Sequence, residues 1–199
     1  MLSNAIMIKA LRPNRGFSLL EVLIVVAIFI LVTTIAVPNV VVVLSNSRMR
    51  ASITSFSGVL QSTRMLAVKE NRTMTTHIAN QALALVAYAK LATDSNPLAT
   101  HDSQIEMEAP IEEMATPSGP GAPSAISTAV LGFTPETTEP SFNTRGLPCA
   151  YSGGSCTNKG FLYYFHDTRP GGHKGWAAVS ISPAGRIHKW FWNGSAWTD

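Results

Sequence analysis

The feature that most constrains this chain is an apolar run from Phe17 to Leu44, FSLLEVLIVVAIFILVTTIAVPNVVVVL, 28 residues whose only charge is Glu21. As a helix rising about 1.5 Å per residue it measures about 42 Å, more than the hydrocarbon core of a bilayer requires. Lys9, Arg12 and Arg15 precede it without any acidic neighbour. The positive-inside rule then keeps the leader in the cytoplasm and sends everything after Leu44 outside. A secretory signal has a shorter apolar core and a small-residue cleavage site at its far end; here the unusual residues stand at the near end. A carboxylate at Glu21, inside a membrane helix, costs about 2.5–3.5 kcal/mol at the bilayer centre and somewhat less near the end, so it needs a partner or a task.

With the apolar run set aside, a chain of 199 residues leaves material for one modest head. Three of the fifteen basic residues lie in the leader, so the remainder carries twelve basic and twelve acidic residues. Their distribution is uneven. From Asp94 to Glu139 there are eight carboxylates and no Lys or Arg, whereas Arg145, Lys159, Arg169, Lys174, Arg186 and Lys189 face only Asp167 and Asp199 in the last third. That last third is the expected anion-binding surface.

Beyond the apolar run, Met49, Ile53, Phe56, Leu60, Thr63 and Ala67 recur at spacings of three and four, with Arg48, Arg50, Arg64 and Lys69 on other faces. This predicts an amphipathic continuation of the same helix over residues 45–71. The period changes near Asn71. Arg72 to Ala79 and Ala82 to Lys90 read as two strands joined at Asn80-Gln81, although the alanines leave a helix open for the second. PIEEMATPSGPGAP, within 110–123, holds four prolines and two glycines and predicts a long exposed acidic loop without regular structure. Ile126 to Phe133, Gly160 to Phe165, Trp176 to Ser182 and Arg186 to Trp192 follow as strands, the last ending at an Asn193-Gly194 turn. The expected fold class is α+β, a long N-terminal hydrophobic helix followed by a small antiparallel β-rich head spanning 72–199.

Cys149 and Cys156 are the only cysteines and lie in a Gly/Ser-rich stretch. A small disulfide loop suits them better than a four-ligand metal site, because the orientation above places them outside the reducing cytoplasm. Closing so short a ring contributes about 2.5 kcal/mol in the loop-entropy description. Neither cofactor motif nor metal-ligand spacing appears. His77, His101, His166, His173 and His188 stand apart from any nucleophile motif, and the reading is of a protein that is not an enzyme.

Arg15-Gly16-Phe17-Ser18-Leu19-Leu20-Glu21 resembles the leader-peptidase site of type IV prepilins and pseudopilins. The resemblance implies cleavage between Gly16 and Phe17 by a prepilin peptidase, leaving residues 17–44 as a membrane and filament-core helix. N-methylation of Phe17 follows, and Glu21 pairs with the terminal amine of a neighbouring pilin or pseudopilin. Pro38 falls where helices of that family carry a proline that lets the segment bend or break. The family lives in the inner membrane as a single-pass protein, surrounded by lipid before assembly, with its head in the periplasm, and then in a pilus or pseudopilus. Phe142-Asn143-Thr144-Arg145-Gly146-Leu147-Pro148 and Ser180-Ile181-Ser182-Pro183-Ala184-Gly185-Arg186-Ile187 resemble FimT/GspH-type minor pilins, which place two small sheets after the helix.

In the FimT type of competent bacteria a Gly-Arg-x-Arg motif binds DNA. The matching positions are Gly185, Arg186, Ile187 and His188, with Lys189 next, and a neutral imidazole at His188 supplies no phosphate charge at pH 7. Arg169, Lys174, Arg186, His188 and Lys189 are therefore the expected DNA contacts, interleaved with Trp176, Trp190 and Trp192, which serve either base stacking or the core of a small sheet. The GspH type, in type II secretion, contacts only other pseudopilins.

Overall fold

The computed structural model describes residues 17–81, 84–94, 104–107, 111–119, 121–168 and 175–199. The chain divides into two compact units, one ending at Val40 and the other running from Val41 to Asp199. A single helix, α1 (Leu19–Glu70), contributes to both.

In the second unit the stripe read from sequence is the buried side of α1: Met49, Ile53, Phe56, Leu60, Thr63 and Ala67 are all inaccessible. They meet two sheets built from short strands. The first carries β1 (Met74–Gln81), β2 (Ala84–Leu91) and β3 (Gln104–Met107); the second gains β4 (Ile111–Met114). A four-residue helix α2 (Thr128–Leu131) precedes β5 (Pro135–Glu136), β6 (Ser141–Phe142), β7 (Pro148–Ser152) and β8 (Ser155–Asn158). Then come β9 (Gly160–Asp167), β10 (Trp176–Ile181), β11 (Ile187–Trp192) and β12 (Trp197–Thr198). The strand orders are β3-β2-β1-β6-β7-β8 and β12-β11-β10-β9-β4. Every pairing is antiparallel except that of β5 with the start of β9, which is parallel.

One cluster joins α1 to both sheets. Met74, Leu85 and Phe142 come from the first sheet, and Phe161, Tyr163, Phe165 and Val179 from the second. Phe56 meets Tyr163 and Phe165 edge-on, with centroids 5.9 and 5.1 Å away, the geometry favoured by aromatic quadrupoles. Two polar ties fix the helix against slippage. Ser45 donates a buried hydrogen bond to Asp167 on β9 at 2.5 Å, and Thr76 on β1 donates to Thr63 at 2.9 Å. A smaller second core of Ile126, Leu162, Tyr164 and Ala178 lies on the other face of the second sheet, with Trp190 and Trp197 packed against it.

The structure differs from the sequence expectation in three places. Asn80 and Gln81 are not the turn; they pair with Leu85 and Ala84 and extend β1, because their backbone groups complete the ladder. Ile126 to Phe133 is not a strand. Ile126 and Leu131 pack on the second core, and Gly132 ends α2 in the left-handed conformation at φ 76°, a stop that glycine adopts without a Cβ clash. The Pro/Gly-rich acidic stretch opens with β4, whose Ile111–Met114 pair with Asp167–Tyr164 of β9; the irregular part follows it.

A polar cluster bridges the sheets. His77 Nδ1 on β1 lies 2.7 Å from a Glu139 carboxylate oxygen and its ring stacks on Tyr88, while the Tyr163 hydroxyl donates to the carbonyl of Thr138. Burial, and then the charge of Glu139, push the Glu113 carboxyl above its usual 4.5; burial, Glu113 and Glu139 push the Tyr163 phenol well up. The fold holds the Glu113 proton more tightly than the unfolded chain does, so this group's contribution to stability falls as pH rises through the unfolded and then the folded pKa. Glu113→Gln, which removes that charge, is expected to raise the thermal midpoint at pH 7 by on the order of 2 °C. The gain should vanish below about pH 4.5, where wild-type Glu113 is already protonated in both states. Melting curves at pH 4 and 7 check it.

Candidate functional site

At the start of the chain's described part, Phe17 and Ser18 precede α1, and Gly16 lies outside the described residues. Glu21 occupies the first turn of α1, and the Val22 N–H bonds the Ser18 carbonyl at 3.2 Å. Free N–H groups and the helix dipole favour a carboxylate there, and Ser18 and Glu21 have capping-box spacing. Leu19–Ala36 has a mean hydropathy of 2.9 with no residue buried, long and apolar enough to cross a membrane. Thr33 and Thr34 return their hydroxyls to carbonyls of Phe29, Ile30 and Leu31 at 2.8–2.9 Å, so neither needs water. Glu21 is thus the single charge on this surface. α1 continues through Pro38.

In the head the two sequence stretches 142–148 and 180–187 converge on one side chain, Arg64 of α1. Asn143 builds the first turn: its Oδ1 accepts the N–H groups of Arg145 and Leu147 at 2.9 and 3.0 Å. Ser182 builds the second, where its carbonyl accepts the Gly185 N–H at 2.7 Å and its hydroxyl the Arg186 N–H at 3.1 Å. Arg64 donates to the Gly185 carbonyl at 3.2 Å. A Cβ at Gly146 would stand 3.1 Å from Arg64 and 3.0 Å from Val68, and one at Gly185 3.4 Å from the Arg64 guanidinium. Both glycines also have positive φ, 74° and 82°. Arg145 and Arg186, each beside one of these glycines, are exposed, so each of the two turns that meet Arg64 carries one exposed arginine. A hollow lined by Gln61, Arg64, Met65, Val68, Lys69 and Ile187 adjoins the second turn, with Met65 71% exposed.

The expected DNA residues distribute differently. Arg169 and Lys174, like His101 and His173, lie outside the described residues. Arg186 belongs to the turn before β11, not to the strand. His188 opposes Ser180 and stacks on Trp190, and its Nδ1 lies 3.5 Å from Asp199. Lys189 opposes Val179 and shares the α1-facing side with Ile187 and Phe191. His188 and Lys189 therefore occupy opposite faces. The tryptophans pack: Trp176 is buried against His166, Trp190 donates to Ser180 at 2.9 Å, and Trp192 meets Trp197 edge-on. Arg64 and Lys69 were missed because helix periodicity assigns them to a solvated face; the available signal was an Arg-Gly or Gly-Arg pair in each of two separate turns. No group of metal-ligating side chains occurs among the described residues. Cys149 and Cys156 form a disulfide across the β7–β8 hairpin.

Residues 11–37 match the family model of the prokaryotic N-terminal methylation motif, the signature of type IV pilins and pseudopilins. No curated protein and no solved structure matches the chain.

Gly146→Ala and Gly185→Ala each destabilise the head by about 1–2 kcal/mol through forced positive φ, with crowding against Arg64 and Val68 added at Gly146 alone. Gly194→Ala, with φ 100° but open space around its Cβ position, isolates the backbone part. Urea unfolding of the three variants measures the difference, which should be larger for Gly146 than for Gly194.

Proposed function

We propose that the chain is a minor type IV pilin, a non-enzymatic filament subunit. The observation that carries this reading is the methylation motif at 11–37 on a helix whose apolar residues 19–36 are wholly exposed. Such a surface needs lipid first and the helices of other pilins afterwards. In this reading a prepilin peptidase cuts between Gly16 and Phe17, Phe17 is methylated, and Glu21 receives the terminal amine of the neighbouring subunit, which neutralises the one charge in the apolar contact. Pro38 supplies the place where the helix yields on assembly. The head stays in the periplasm, joined by its disulfide.

For the head, the exposed Arg145 and Arg186 on the two turns that meet Arg64 favour DNA as a partner, since phosphate neutralisation needs exposed guanidinium groups. With His188 beside Asp199 and Lys189 on the opposite face, the two turns carry the reading better than β11 does. A GspH-type pseudopilin, acting through protein contacts alone, is the competing assignment.

Mass spectrometry of the protein expressed with and without a prepilin peptidase tests the first part. The expected product begins at methylated Phe17 only when the peptidase is present; retention of residues 1–16 in both strains overturns the pilin reading. Filter retention of duplex DNA tests the second. Arg145→Ala with Arg186→Ala should weaken retention at every sequence and lower the salt slope by about two, one for each phosphate no longer neutralised. Retention that is absent or unchanged removes DNA and leaves the pseudopilin assignment.

A further inference from the structure

β11 leaves the second sheet with an open stretch. It pairs with β10 from Ile187 to Phe191, whereas β12 covers only Phe191 and Trp192. The Ser182 N–H bonds the Arg186 carbonyl at 2.9 Å, which makes Ser182 and Arg186 a bonded pair. Alternation along an antiparallel ladder then makes His188 and Trp190 the next residues bonded to β10. Ile187 and Lys189 therefore turn their N–H and C=O groups away from β10, where they have no hydrogen-bond partner among the described residues.

α1 runs beside this edge in the opposite direction. Arg50 lies 4.4 Å above the Phe191 ring, and Arg64 donates to the Gly185 carbonyl. Arg50 to Arg64 spans about 21 Å of helix, and Gly185 to Phe191 about 20 Å of strand. Ile187, Lys189 and Phe191 share the face of β11 turned toward α1. The hollow that Ile187 shares with Met65, Val68, Arg64 and Lys69 measures about 590 Å³. Apolar surface is open there, Met65 being 71% and Val68 51% exposed, and the lining holds two basic residues and no acidic one. Arg64 and Lys69 thus stand at one end of the edge, Lys189 in its middle and Arg50 at the other end. Asp199 lies beside His188, on the opposite face.

From this arrangement we propose that the open edge of β11 takes an extended acidic segment of another protein chain, which joins the second sheet as an added strand. Ile187 and Lys189 each present a donor and an acceptor, and only a polypeptide main chain returns both in register; phosphates and carboxylates accept but do not donate. Beside Ile187 the segment places an apolar side chain in the hollow, and two residues away, beside Lys189, a carboxylate. Lys189 turned toward the helix repels an apolar strand that brings no negative charge, so the edge is selective and not merely adhesive. The proposal concerns the head alone and does not rest on the filament reading.

The test uses the ¹⁵N-labelled full chain in micelles of a zwitterionic detergent, read by amide resonances and hydrogen exchange. The probe is the capped peptide Glu-Glu-Val-Val-Glu-Glu, which gives each face a valine two residues from a glutamate. Its controls are the same peptide with lysines for glutamates and the same peptide with its main-chain nitrogens methylated. The expected result is a saturable shift of the Ile187 and Lys189 amides and exchange slowed about tenfold at both, with His188 and Trp190, already bonded to β10, little changed. Lys189→Pro, which removes an outward N–H and leaves the β10 ladder intact, should weaken binding about tenfold, and Lys189→Gln, which removes the charge alone, by a smaller factor. If the proline variant folds poorly, the wild-type exchange and Lys189→Gln decide. An equal response to either control peptide, unchanged exchange at Ile187 and Lys189, or protection that rises with the concentration of the chain alone, which would assign the edge to a second copy, overturns the proposal.

Discussion

Each of the two sheets has one apolar face directed at the same partner, the buried side of α1, and the order of the head depends on that shared contact. Short strands such as β5, β6 and β12, two residues each, lack the pairing to persist alone. β6 holds because Phe142 is buried with Phe161 and Val179 against the wall that Ile53, Phe56 and Leu60 supply, whereas β5 pairs with the start of β9 and β12 is held by its pairing with β11 and by Trp197 on the second core. Truncating a fully buried phenylalanine in such a contact costs about 3–5 kcal/mol, comparable with a large part of a small domain's total stability. The same wall sets where the turns at Asn143 and Ser182 stand, since Arg64 is on the helix that forms it. The turns that carry Arg145 and Arg186 thereby stand where the helix register puts Arg64.

The helix was legible because its signal is local and repeated. A 3.6-residue period over residues 49–67 and an apolar run with one charge leave little choice of fold. The β1–β2 hairpin was legible for the same reason, period two, although Asn80 and Gln81 read as a turn while the ladder continues through them. What escaped were the elements fixed by distant partners. β4 exists because β9 offers a free edge, and nothing in IEEM announces that. Residues 126–133 show the reverse: their apolar content reads as a strand, but Gly132 stops the chain in a left-handed turn and the side chains fill the second core. At the candidate sites the methylation motif, matched over residues 11–37, is contiguous in sequence and was legible there. The basic residues of the head group by nearness in sequence, whereas alternation along β11 separates His188 from Lys189, and the residue that gathers the turns comes from a helix more than a hundred positions away from the second of them.

The uneven charge distribution also acquires a structural meaning. The carboxylates between 94 and 139 are not only loop residues: Glu106 lies on β3 and Glu112 and Glu113 on β4, the outer strands of the first and second sheets. Charged side chains on an outer strand discourage a further strand from pairing there. Glu113 bears the cost of that arrangement, being half-buried beside Glu139.

The opposite border of the first sheet is β8, four residues with little burial, and there the disulfide does what charge does at β3 and β4. Cys149 sits within β7 and is fully buried, so the bond anchors an exposed strand to an inner one. In any assembly that crowds many copies of this head together, a loosely held border strand is the element most readily exchanged between neighbours. A covalent tie makes that trade impossible without reduction, so each copy must complete its own sheet and remains an interchangeable unit that can leave or join its neighbours intact.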